Sequence, residues 1–90
     1  MSKYFSVDEM KQFVISALPS DAKLIDFTYN SKCFGNMTAK IKQSGKVHTF
    51  ITDRGEIYYN GEMVCDSSYR YKEKEDIFPR LIQMIKNTLA

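Results

Sequence analysis

Apolar residues recur every three or four positions near both ends of the chain, and every second position between them. Near the N-terminus, Val7, Met10, Phe13, Val14, Ala17 and Leu18 fall on one stripe of a helix. Its start is marked by "FSVDEM": Ser6 as N-cap with Glu9 three residues on makes a capping box, and Phe5 with Met10 a hydrophobic staple. Pro19 stops the helix, because proline cannot donate the next backbone hydrogen bond.

Beyond Pro19 the pattern is that of strands. "KLIDFTYNS" places Ile25, Phe27 and Tyr29 on one face. "NMTAKIKQ" sets Met37, Ala39 and Ile41 against Thr38, Lys40 and Lys42, and Ser44-Gly45 turns it back into "KVHTFITD". "EIYY" and "EMVC" flank Asn60-Gly61, a pair that tolerates the positive φ of a type I′ hairpin turn. After a polar, aromatic connection, a second helix runs from roughly residue 75 to 88, with Pro79 in its first turn. Phe78, Leu81, Ile82, Ile85 and Leu89 form its apolar stripe.

The order predicts an α+β fold: helix, antiparallel meander of four to five strands, helix, with both helices on one sheet face. The other face stays uncovered and carries Thr38, Lys40 and Lys42. Ninety residues form one domain, spanning 1–90. A domain this small buries only about 60% of its unfolded surface, so a deep catalytic pocket would compete with the core for apolar residues.

No run reaches the ~18–20 apolar residues of a membrane span. "MSKYFSVDEM" lacks the apolar region of a signal peptide, which places the chain in the cytoplasm, with Cys33 and Cys65 reduced. With His48 as the single histidine these cysteines make no paired metal-ligand spacing, so neither metal nor cofactor is expected.

Charge adds an asymmetry. Between residues 23 and 54, Lys23, Lys32, Lys40, Lys42, Lys46 and Arg54 face only Asp26 and Asp53, whereas the overall net charge is +2. A basic middle suits an acidic partner surface or a nucleic-acid backbone. The helix–meander–helix order resembles the αβββα order of double-stranded RNA-binding domains, which open their second helix with phosphate-gripping lysines. Here that stretch reads "KEKEDIFPR", half acidic, so a nucleic-acid module is the alternative and not the leading reading.

Catalytic groups are sparse. Only His48 could serve Cys33 or Cys65 as a base, the pairs Asp53/Glu56 and Asp26/Glu62 are ordinary in acidic loops, and the glycines are single turn residues. The sequence reads as non-catalytic. Tyr58, Tyr59, Tyr69 and Tyr71 gather in the second half with Arg54 and Arg70, residue types that dominate protein interfaces.

Phe34-Gly35-Asn36 opens one strand, and Asp53-Arg54-Gly55 closes the next ahead of "EIYY". These six residues resemble a pattern recurrent in small bacterial proteins, some of them immunity proteins encoded beside polymorphic toxins. The resemblance covers roughly residues 24–60. It implies a non-catalytic protein that binds and neutralises a partner, often an enzyme, and a basic surface implies an acidic patch on that partner. Small phage-encoded inhibitors of bacterial defence nucleases are similar in size and composition.

Within the Asp-Arg-Gly stretch, Gly55 permits a left-handed turn and Asp53 is expected to accept backbone N–H groups. No turn requires Arg54, whose guanidinium can either brace the loop against Asp53 or Asp66 or reach a partner carboxylate. The expected contacts are Lys40, Lys42, Arg54, Tyr58, Tyr69 and Arg70, on a protein partner with an acidic surface. Self-association into a homodimer through the uncovered face or an edge strand is a third reading.

Overall fold

The computed structural model describes residues 6–30, 36–66 and 77–89. Helix α1 (Val7–Ser16) leads into strands β1 (Ala22–Asn30), β2 (Asn36–Gln43), β3 (Lys46–Asp53), β4 (Glu56–Tyr59) and β5 (Glu62–Cys65), and helix α2 (Ile77–Leu89) closes the chain. The strands form one antiparallel sheet in sequence order. This is the α+β meander that the periodicity predicts, with five strands.

The capping box at α1 is formed in full. Glu9 N–H donates to Ser6 Oγ at 3.1 Å, and Ser6 N–H donates to Glu9 Oε1 at 3.0 Å. Phe5, the other half of the predicted staple, lies outside the described residues. The α1 stripe is narrower than expected: Met10 and Val14 are fully buried, while Val7 is 40% and Phe13 44% exposed. Phe13 sits at the outer seam of the helices, its ring centroid 6.3 Å from that of Phe78.

On α2, Phe78, Leu81, Ile85 and Leu89 are buried, and the half-buried Ile82 packs against them. Proline is tolerated at Pro79, the third residue of the helix, because its missing N–H has no intrahelical acceptor there. Both helices cover one sheet face. Their buried residues join Met37, Ala39, Ile41, Phe50 and Ile57 in a single core. Full burial of a side chain such as Phe50 or Ile57 is worth about 1.5–3 kcal/mol. Gln43 Nε2 donates to the Leu89 carbonyl at 3.3 Å, tying the end of α2 to the end of β2.

One strand departs from strict alternation. The register shifts between Leu24 and Asp26, so Ile25 is the extra residue of a bulge and stands 51% exposed, while Leu24, Phe27 and Tyr29 pack against the core. The predicted Ile25–Phe27–Tyr29 face is thus corrected to Leu24–Phe27–Tyr29. The β2–β3, β3–β4 and β4–β5 hairpins each close with two residues at positive φ: Ser44 (51°) and Gly45 (80°), Arg54 (52°) and Gly55 (88°), Asn60 (49°) and Gly61 (90°). These are type I′ turns, whose twist matches that of the strands they join.

Candidate interaction face

Cross-strand pairing defines the uncovered face row by row. Thr28, Thr38, Ile51, Tyr58 and Met63 lie directly opposite one another across all five strands. Ile51 is 37% and Met63 52% exposed, and Tyr58 between them is half-buried, so the row has an apolar, aromatic half. The neighbouring row holds Asp26, Lys40 and Thr49, and the one beyond it Lys23, Lys42 and Val47.

Lys23 and Lys42 are therefore cross-strand partners. Like charges placed directly opposite destabilise a sheet. At the other end of the same face, Asp53 and Glu56 are partners across β3 and β4, a second like-charged pair. Among the described residues their hydrogen-bond donors are neutral: Asn36 Nδ2 donates to Asp53 at 3.2 Å, and the Tyr58 hydroxyl to Glu56 at 2.9 Å. The bond to Glu56 is the main reason the Tyr58 pKa lies above its ordinary value, with desolvation and the Glu56 and Asp53 charges adding to it.

Of the residues expected to meet a partner, Lys40, Lys42 and Tyr58 share this face, and Arg54 stands exposed at the β3–β4 turn beyond its acidic end. Tyr69 and Arg70 lie outside the described residues. Lys23, Ile51, Glu56 and Met63 belong to the face and were not predicted. The signal for Ile51 was present: the Ser44-Gly45 turn fixes the β2–β3 register, and that register puts Ile51 beside Thr38.

The Asp-Arg-Gly stretch is built differently from the expectation. Asn36, not Asp53, caps the turn: its Oδ1 accepts the Arg54 N–H at 3.1 Å while its amide holds the Asp53 carboxylate. One residue along each strand, Thr52 Oγ1 accepts the Met37 N–H at 2.7 Å in the core. These side chains continue the β2–β3 connection beyond its last backbone pair, Thr38–Ile51. The two halves of the Asn36…Asp53-Arg54-Gly55 motif are thus one structural unit. Arg54 does have a turn position, the first of the type I′ pair, where a left-handed backbone is unfavourable for a residue with a full side chain.

The remaining candidate groups lie on the covered side. Tyr59 packs against Phe50 with centroids 5.1 Å apart, and its hydroxyl lies 2.5 Å from His48 Nδ1. Cys65 pairs with Ile57, which pairs in turn with Thr52. His48 lies four residues from Thr52 along β3, so at ~3.3 Å per residue and ~4.8 Å per strand it is far outside hydrogen-bond reach of Cys65. Burial pushes the Cys65 thiol up, against the pull of nearby Arg80. Cys33 lies outside the described residues. Among the described residues, no helix is long and apolar enough to cross a membrane.

No protein family, curated protein or solved structure matches the chain.

Proposed function

We propose that this is a non-catalytic protein-binding module whose contact surface is the uncovered sheet face, acting in the cytoplasm by binding and neutralising a partner protein. The observation that carries the reading is the face itself. An apolar row, Ile51–Tyr58–Met63, is exposed beside Lys40, Lys42 and the opposed pair Lys23–Lys42, whose mutual repulsion an external acid would relieve. A partner that sets an acidic edge against the lysine end, beside an apolar contact, fits it. The role is that of an immunity protein, as the resemblance carried by Phe34-Gly35-Asn36 and Asp53-Arg54-Gly55 implies, or of a phage-encoded enzyme inhibitor.

Arg54 supports the same reading. Its exposed side chain adds a positive charge at the turn, on a backbone conformation that asparagine or glycine adopts more readily. No cofactor or metal enters this mechanism, which is complementarity alone.

A nucleic-acid module is the second reading, favoured by the three lysines at one end of the face. The two readings separate in one experiment: affinity capture from source-cell lysate with the wild-type chain and with the double variant Lys40→Ala/Lys42→Ala, with and without nuclease. One stoichiometric protein that survives nuclease and is lost in the variant supports the inhibitor reading. Capture that disappears with nuclease, and falls steeply with salt, supports the other. Equal capture of the same protein by both chains removes this face from the account.

A further inference from the structure

The two like-charged pairs occupy opposite ends of one face. Lys23–Lys42 stands at the end where β2 finishes, with Lys40 one step inward. Asp53–Glu56 stands at the end where β3 turns into β4, and the Ile51–Tyr58–Met63 row lies between the two ends. Asp26 offsets part of the basic end, lying opposite Lys40, and Arg54 at the turn apex offsets part of the acidic end. The remaining pattern is bipolar. A uniformly acidic partner would satisfy the lysines and worsen the carboxylates.

We propose that the occupant of this face in the isolated protein is a second copy of the chain. Two such sheets can stack face to face about a two-fold axis in the plane between them. If that axis lay along the strands, each end would meet its own kind. An axis lying squarely across the strands would bring the two ends together but leave the lysine pair on β1–β2 two strands from Asp53–Glu56 on β3–β4. Turned obliquely, perpendicular to the diagonal that joins the two pairs, it seats each lysine pair on the partner's Asp53–Glu56 and relieves both at once. The exposed apolar rows meet toward the centre.

The geometry also sets the strength. At a strand spacing of ~4.8 Å and a rise of ~3.3 Å per residue, the five strands present roughly 500 Å² per copy. Twice that is about 1,000 Å², the lower limit for a specific interface, so the dimer is weak and gives way to a tighter partner. The inference rests on reading this face as an interaction surface, with self-association as its resting state.

The test is sedimentation equilibrium of the full chain, at low salt, across about 10 µM to 1 mM, a range that brackets the affinity expected of so small an interface. The wild type is expected to shift from monomer to dimer within it. Lys40→Glu/Lys42→Glu in one chain, and Glu56→Lys in another, each place like charges across both contacts and raise the dissociation constant at least tenfold. An equimolar mixture of the two variants has one native and one swapped contact, both attractive, and is expected to dimerise within about threefold of the wild type.

Ile51→Glu, a substitution at an exposed position, loses the dimer without a charge partner to restore it, and circular dichroism confirms that each variant folds. A wild type that stays monomeric at the highest concentration overturns the inference, as does a mixture no more associated than its components. Either result, with the lysine-dependent capture of a partner intact, leaves the proposed function standing. Loss of that capture with the dimer intact removes the function and keeps the dimer.

Discussion

Asn36 and Asp53 face each other at the open end of the β2–β3 pair, and the 3.2 Å hydrogen bond between them leaves the second arm of the Asn36 amide free to accept the Arg54 N–H. A single side chain thus anchors the last residue of β3 and the first residue of a strained turn. Asn36→Ala removes both bonds and leaves a half-buried carboxylate with one donor fewer. The expected cost is about 1–2 kcal/mol, since a hydrogen bond to a charged group exceeds the usual ~1 kcal/mol but the site is partly solvated. Urea denaturation checks it. A midpoint unchanged from wild type would mean that water replaces the amide without loss.

Thr52 supports the same strand end from inside. At 1% exposure its hydroxyl accepts the Met37 N–H at 2.7 Å. Thr52→Val keeps the shape and deletes the acceptor, stranding a buried backbone N–H at a cost of about 1–3 kcal/mol. Because volume is preserved, the core should repack little, and amide exchange at Met37 should accelerate more than at Ala39.

Arg54 is expected to trade stability for binding. A left-handed backbone costs a residue with a full side chain roughly 1–2 kcal/mol, and asparagine recovers part of that. Arg54→Asn should therefore raise the thermal midpoint while weakening partner capture. A variant that gains stability with no loss of capture would make Arg54 a turn residue and nothing more.

The Tyr58–Glu56 bond predicts an alkaline transition. The folded Tyr58 pKa lies above its ordinary value, chiefly because Glu56 accepts the hydroxyl proton. The bond's contribution is complete below the unfolded tyrosine pKa of about 10 and is lost as pH rises through the folded value. In Glu56→Gln, one tyrosine should ionise at lower pH than in the wild type, as read by ultraviolet or NMR titration. An unchanged titration would show that the bond does not hold the proton.

Much of the fold is legible in the sequence because its signals are local. The capping box at Ser6 and Glu9, the Asn60-Gly61 turn and the α2 stripe each depend on residues a few positions apart, and each is formed. What failed was non-local. Nothing near Ile25 marks the bulge, which only pairing with β2 reveals. Asn36 caps the turn by accepting the N–H of Arg54, 18 residues away, whereas within Asp53-Arg54-Gly55 alone the nearer carboxylate is the natural cap. The binding face was half legible. Alternation gave Lys40 and Lys42, but the opposition of Lys23 to Lys42 and of Asp53 to Glu56 exists only once the strands are in register.

Which surface meets the partner decides the function proposed for the sheet face. Thr38 lies on the open face beside Ile51, and Gln83 is exposed on α2, on the helical side of the molecule. A photoreactive amino acid at either position, irradiated in source cells, reports its neighbours directly. A discrete adduct is expected from position 38, with a heterologous protein or a second copy, and none from position 83. A protein adduct from position 83 alone would contradict that expectation and move the functional surface to the helices.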